Sequence, residues 1–426
     1  MEIGLFLAAL AIAIAVGFFT KANAGLVAMV FAACLGILVC GFSLNAILAL
    51  WPIKLFLMLA MVMLFYGFAM TNGTLALLSE HITYSTRKVP WLLPIALWAF
   101  CLAVSAAGVG PFGVFAILGP TVMAIAMKAG IPRLLAAVTV ISGGSIGALS
   151  PISTGGIVVG NYAELVGYGD IAGSIIGNVF VNLLIAQGLV FAVVYIVQKG
   201  WKPRTGEIAR PAKMNRNQKV NLALIVIVLV LTFIPAMLSA MTGAAWLTKM
   251  AKVCDVTITS ALGAVLCGAL KVGSEKDAFR SVPWGTVFLI SGMCLLINTA
   301  VEYGIVDSLS AWLTSNVESA AVIYLLIVIA GVMSFFSSTL GVVVPTLSTL
   351  VPALAAITGA TPGLLFSLIT VSAMLSGYSP FSSSGGITMS GLQDEAERKR
   401  LYIQLLAGSP ILVACFAVLV AVGVIA

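Results

Sequence analysis

Ten stretches of about 20 mostly apolar residues, each long enough to cross a bilayer, dominate the sequence and leave no room between them for a soluble domain. A backbone in hydrocarbon must satisfy its own N–H and C=O groups, so such stretches form helices. Spans are expected near residues 2–20, 22–42, 52–71, 132–166 and 171–198 in a first half, and near 220–240, 246–270, 283–300, 362–391 and 402–426 in a second. Only 8% of the 426 residues are charged, against roughly a quarter in soluble domains, so water is not the main solvent. Ala22-Asn23-Ala24 imitates a signal-peptidase site, but the start is acidic at Glu2 and the apolar run is long for a signal, so an uncleaved first span is expected.

Between the third and fourth spans of each half lies an apolar region too long for a loop and interrupted by small residues. Residues 90–127 break around Ala106–Gly113, and residues 320–357 around Phe335–Gly341. Each has the pattern of a re-entrant hairpin, whose irregular backbone is tolerated only against protein or a watery cavity. The fourth span of each half is a broken helix, 132–166 with a Ser-Pro-Gly-rich interruption expected over 141–156, and 362–391 with one over 376–386. The halves also match in sequence. Ser150-Pro151-Ile152-Ser153-Thr154-Gly155-Gly156-Ile157 recurs as Ser379-Pro380-Phe381-Ser382-Ser383-Ser384-Gly385-Gly386-Ile387 about 230 positions on, and Asn72-Gly73-Thr74-Leu75 is echoed by Tyr303-Gly304-Ile305-Val306 at a similar offset. An odd number of spans separates equivalent points, so an all-α membrane fold of two inverted repeats is expected: 1–198, a basic linker 199–219, and 220–426. With the linker inside, all but Lys54, Lys249 and Lys252 of the 21 basic residues fall on the inner side, as the positive-inside rule requires. Both termini are then outside.

The four breaks supply the chemistry. Discontinuous spans present unpaired N–H groups and partial positive charge at half-helix N-termini, which suits an anion near the midplane. Ser145, Ser150, Ser153, Thr154, Ser337, Ser338, Thr339, Ser379, Ser382, Ser383 and Ser384 add hydroxyls that donate to carboxylates or accept from donors. Gly110, Gly143, Gly144, Gly155, Gly385 and Gly386 let the backbone approach a ligand. Small hydroxyl residues also let helices pack closely, a reading weaker for two repeated clusters than for one serine. No Asp, Glu, Lys or Arg lies in a tip or a break, so a buried-carboxylate proton relay is not visible and sodium coupling is favoured. Asp255 is expected as a helix N-cap, Glu164 and Asp170 as solvated in an outer loop, and His81 as interfacial.

Other classes fit poorly. The net charge of +7 sits in short loops rather than an aromatic-laced patch, so nucleic acid is not a partner. The seven cysteines show no CxxC pair, which indicates neither a metal cluster nor disulfides. Gly108 to Gly113 fits GxGxxG without a preceding strand, and Gly143 to Gly147 fits GxSxG with no histidine downstream. An enzyme is therefore not expected, and no cofactor is. A cation/proton antiporter or oxyanion exporter remains a rival, although those usually show an intramembrane Asp. A non-transporting membrane sensor or assembly subunit is another, although closed packing would not need four exposed helix ends.

On these residues the chain resembles the dicarboxylate carriers of the MatC, or malonate-transporter, type, within the divalent anion/sodium symporter grouping. The resemblance runs through Thr71-Asn72-Gly73-Thr74-Leu75, Gly119-Pro120, Ser142-Gly143-Gly144 and Ser150-Pro151-Ile152-Ser153 in the first half. In the second it runs through Pro283-Trp284-Gly285, Ser337-Ser338-Thr339 and Pro380. It implies a homodimer in a bacterial-type inner membrane, with a fixed scaffold and a mobile, elevator-type transport domain that carries a small dicarboxylate such as malonate, succinate or malate. It also implies anion and sodium sites at the hairpin tips. The anion is expected among Ser150, Ser153, Thr154, Gly155, Ser337, Ser338, Thr339, Ser379, Ser383 and Ser384. Sodium is expected against Gly110, Gly143, Gly144, Ser338, Thr339 and Ser382. The family's tips usually read Ser-Asn-Thr; here Ser338 replaces the Asn, and the first tip is Ser105-Ala106-Ala107-Gly108.

Overall fold

A computed structural model describes residues 2–20, 22–202, 210–242, 244–304, 319–336, 338–389 and 395–425. Lys21, Ser337, the Ile305-Val306 echo and the end of the 362–391 span lie outside the described residues, as does the side chain of Ser383. Among the described residues there are helices and no strands. Six helices among the described residues are long and apolar enough to cross a membrane, and two bent pairs, each kinked by 53°, raise the number to as many as eight. Shorter apolar helices such as Ala24–Leu38, Arg133–Gly147 and Pro362–Ser376 pack among them.

The same series of elements occurs twice. Ile53–Thr71 and Trp284–Glu302 are both 19 residues, and both begin after a proline at φ −76°, ψ 69°, namely Pro52 and Pro283. Each ends near a left-handed glycine, Gly73 at φ +76° and Gly304 at φ +82°. Ser43 caps Leu44–Ala49 through the Ala46 N–H, as Ser274 caps Glu275–Ser281 through the Asp277 N–H. Asn23 and Asp255 cap a further pair, Ala24–Leu38 and Val256–Ala269, through the second N–H of each helix. A side-chain oxygen at this position satisfies a donor that the helix leaves orphaned. These caps, prolines and glycines recur at a near-constant offset of about 230 positions.

The copies interlock. Ala24–Leu38 packs on Trp284–Glu302, and Val256–Ala269 on Ile53–Thr71. The first crossing is made by glycines: a Cβ on Gly292 would lie 2.1 Å from the Gly25 carbonyl oxygen, and one on Gly25 2.3 Å from that of Phe288. Small residues let backbones touch where lipid gives no hydrophobic drive for association.

Leu92–Val104 runs alongside Arg133–Gly147 in the same sense, since Trp98 meets Ser142 and Ser105 meets Gly147. Gly119–Ala129 runs back along the same helix, with Gly119 beside Val140. The chain therefore reverses within 105–118. Gly108 (φ +114°) and Gly110 (φ +73°) make that turn in backbone regions that disfavour a side chain. In the second copy Ser319–Phe336 lies beside Pro362–Ser376, where the Ser372 hydroxyl donates to the Ile327 carbonyl at 2.6 Å.

Candidate functional site

The two breaks are shorter than the sequence suggests. Arg133–Gly147 stays helical through Gly143 and Gly144, and only 148–153 leaves the helix before Thr154–Leu165 resumes. The paired glycines serve packing: a Cβ on Gly143 would sit 2.7 Å from the Trp98 carbonyl oxygen, and one on Gly144 2.8 Å from the Phe115 ring. The Gly144 carbonyl already accepts from the Ser105 hydroxyl at 2.7 Å and the Ala148 N–H at 3.1 Å. Both of its lone pairs are used. Likewise Pro362–Ser376 is continuous, and 377–382 breaks before Ser383–Met389.

At the first break the chain folds back tightly. The Gly156 N–H donates to the Ala148 carbonyl at 2.9 Å. A Cβ on Gly156 would lie 2.1 Å from the Ser150 carbonyl oxygen, and one on Gly155 2.7 Å from that of Ala148. Ser153 caps Thr154–Leu165 with extended backbone but makes no side-chain cap bond. Its hydroxyl is fully buried and has no hydrogen-bond partner, and neutral hydroxyls are rarely left so, because an unmade bond costs about 1–3 kcal/mol. Thr154 and Ser150 are buried beside it. Gly110 of the first tip abuts this end, since a Cβ there would come 2.6 Å from the Thr154 Oγ1. Thr154–Leu165 also packs against the second tip, Thr339–Val343. The first break thus stands between both hairpins.

The second break is closed on itself. The Ser382 and Ser384 hydroxyls both reach the Gly377 carbonyl, and Ser382 also accepts from the Gly385 N–H at 3.3 Å. Ser379 accepts from the Phe381 N–H at 3.2 Å. A Cβ on Gly385 would lie 2.4 Å from the Ser379 carbonyl oxygen, and one on Gly386 3.2 Å from that of Pro380. At the second tip Ser338 caps the Gly341 N–H at 3.1 Å, while Thr339 joins Ser334 at 2.6 Å and the Ala373 carbonyl at 3.2 Å. Ser383–Met389 rests on the first hairpin and on Arg133–Gly147. Among the described residues no group of three or more His, Cys, Asp or Glu could hold a metal; a hard cation here would need hydroxyl and carbonyl oxygens.

Sequence reasoning missed the polar groups that brace this region. Gln187, in the helix Ala172–Val197, accepts from the Tyr378 hydroxyl at 2.5 Å and donates to the Met374 carbonyl at 3.4 Å. Tyr378 also touches the Ser142 hydroxyl, which accepts from the Trp98 indole at 2.8 Å. Trp98 stacks on Phe191 at 5.1 Å. One polar chain therefore joins the first hairpin, both broken spans and Ala172–Val197. Above it Ser367 donates to Asn178 at 2.8 Å and accepts from Asn182 at 3.0 Å. The signal was available: amides inside a span are costly unless partnered.

The charges near the break are paired or capped. Glu164, expected to be solvated, is half-exposed and pairs with Lys54 at 3.1 Å, which also gives that outlying lysine a local partner. Asp255 accepts from the Thr257 N–H at 2.8 Å as the N-cap it was expected to be. A cleft of about 130 Å³ lies between Ile53–Thr71 and Thr154–Leu165, lined by Lys54, Met58, Pro151, Gly156, Asn161 and Glu164.

The YdaH transporter of Alcanivorax borkumensis, whose crystal structure is described as revealing an unusual topology, matches with a TM-score of 0.56 and 14% identity over 86% of this chain and 84% of its own. MtrF of Neisseria gonorrhoeae, described as illuminating a class of antimetabolite efflux pumps, matches with a TM-score of 0.52 and 13% identity over 98% of this chain and 94% of its own. No curated protein sequence matches. The chain thus shares its overall fold with these two proteins, and its described residues hold several helices long and apolar enough to cross a membrane. More narrowly, residues 1–148 match the family described as dicarboxylate carrier protein MatC N-terminus.

Proposed function

We propose that this protein is a secondary active transporter of small dicarboxylate anions, of the size of malonate, succinate or malate, coupled to sodium. The observation that carries the reading is the match of residues 1–148 to the MatC carrier family on a chain whose two copies each hold a hairpin and a broken helix. Half-helix N-termini and buried hydroxyls offer donors to carboxylates, and no acidic side chain lies in a break to repel them or relay protons. Sodium, as co-transported cargo, would be met by hydroxyl and carbonyl oxygens at the tips, with Gly110, Ser338 and Thr339 nearest to hand.

The copies are inverted across the bilayer of a bacterial-type inner membrane, with the linker on the cytoplasmic side and both termini outside. The hairpins, the broken spans and Ala172–Val197 move together as an elevator unit, because the Gln187–Tyr378–Ser142–Trp98 chain ties them. Interlocked Ala24–Leu38, Ile53–Thr71, Val256–Ala269 and Trp284–Glu302 form the scaffold of a homodimer set in lipid. Uptake of radiolabelled malonate and succinate into proteoliposomes, with an inward sodium gradient and with choline in its place, tests this. Accumulation should require sodium; accumulation driven instead by a proton gradient would discard the coupling ion.

A further inference from the structure

We propose that the two breaks, although copies of one unit, divide the work: the first receives a carboxylate of the cargo through the Ser153 hydroxyl and the first-turn N–H groups of Thr154–Leu165, and the second is a closed support. This rests on reading the chain as a carrier of organic anions. Three observations single out the first break. The Ser153 hydroxyl is fully buried at a helix N-terminus with no partner, so a donor waits where the helix is partially positive. The glycine tip at Gly110 leaves no side chain between the hairpin and Thr154. The cleft holding Lys54 at its exposed end leads to Pro151, Gly156 and Ile157 beside this turn.

The second break differs at the position that matches Ser153, which is Ser382. The Ser382 and Ser384 hydroxyls donate to the Gly377 carbonyl, while Ser382 and Ser379 accept from the turn's own N–H groups. Tyr378 and Gln187 clamp it to Ala172–Val197. The position that corresponds to Tyr378 in the other copy is Leu149, wholly buried and apolar, so the first break has no hydroxyl clamp there. Ser382, the counterpart of Ser153, is spent within its own turn, whereas a carboxylate at the first break would satisfy the Ser153 hydroxyl and the Thr154 and Gly155 N–H groups at once, the Gly156 N–H being given to the Ala148 carbonyl.

The test uses Ser153→Cys and Ser382→Cys in the full-length protein in proteoliposomes, treated with an anionic sulfonatoethyl or a cationic trimethylammonioethyl methanethiosulfonate. Each site is read separately by peptide mass spectrometry, with the seven native cysteines as internal reference. The thiol introduced by Ser153→Cys should prefer the anionic reagent by about tenfold or more, and malonate or succinate should slow that reaction. The thiol introduced by Ser382→Cys should show no such preference. Equal charge preference at both positions, preference at the second alone, or no reaction at the first overturns the division of labour. Anionic preference at the first position without protection by either diacid upholds the anion site while refuting the diacid cargo. Should Ser153→Cys fold poorly, Ser153→Ala provides the second reading: a rise in KM at least about tenfold above that of Ser382→Ala is expected, and an equal or smaller rise overturns the proposal.

Discussion

Replacing Gln187 by leucine removes two bonds from a site that water does not reach. The Tyr378 hydroxyl loses its acceptor at 2.5 Å, and the Met374 carbonyl loses a longer donor at 3.4 Å. A buried polar group left unsatisfied costs about 1–3 kcal/mol; with the long bond at the low end, Gln187→Leu should destabilise the protein by about 2–4 kcal/mol. Tyr378→Phe strands only the Gln187 oxygen and should cost about 1–3 kcal/mol. In the double variant both partners are apolar and only the Met374 carbonyl remains unmet, so the loss should be about 1–2 kcal/mol, less than Gln187→Leu alone. Unfolding in mixed micelles titrated with SDS measures all three. Costs that add to within about 0.5 kcal/mol, as for independent sites, would refute the clamp.

Other substitutions probe different parts. Gly110→Ala adds a Cβ at φ +73°, ψ 170° and 2.6 Å from the Thr154 Oγ1, a strain of about 1–3 kcal/mol; SDS titration should show a loss of that size, and the uptake rate of the protein that stays folded should fall at least tenfold. Gly292→Ala drives a Cβ to 2.1 Å from the Gly25 carbonyl oxygen and should cost about 1–3 kcal/mol by overpacking, seen in SDS titration, with KM unchanged in the surviving protein. Lys54→Gln breaks an ion pair whose side chains are 66% and 52% exposed, so stability should shift by less than about 1 kcal/mol. Because Lys54 stands at the mouth of the cleft, KM for an anion should rise a few-fold at low ionic strength, and the difference should vanish in high salt.

Much of this architecture could be read before any coordinates. Pro52 and Pro283 start matching helices because a proline fits where the helix N–H would be orphaned, and the Ser-Pro-Gly-rich turns fall in both breaks. The breaks were placed too broadly because Gly143 and Gly144 look like helix breakers in sequence. In the structure they are contact points for the first hairpin, a role only a neighbouring helix reveals. The clamp escaped for a related reason: Asn178, Asn182 and Gln187 are scattered through an apolar run, and their partners lie far along the chain. The serine clusters also looked interchangeable, since composition cannot tell a hydroxyl spent on its own turn, as at Ser382 and Ser384, from one left open, as at Ser153.

Counterflow tests the central claim most directly. Proteoliposomes preloaded with unlabelled malonate or succinate, with sodium equal on both sides, are diluted into a trace of the same labelled diacid. A carrier of small dicarboxylates exchanges the two and transiently accumulates label above the equilibrium level. A flat trace for both diacids, from protein whose fold is intact by SDS titration, would contradict the assignment.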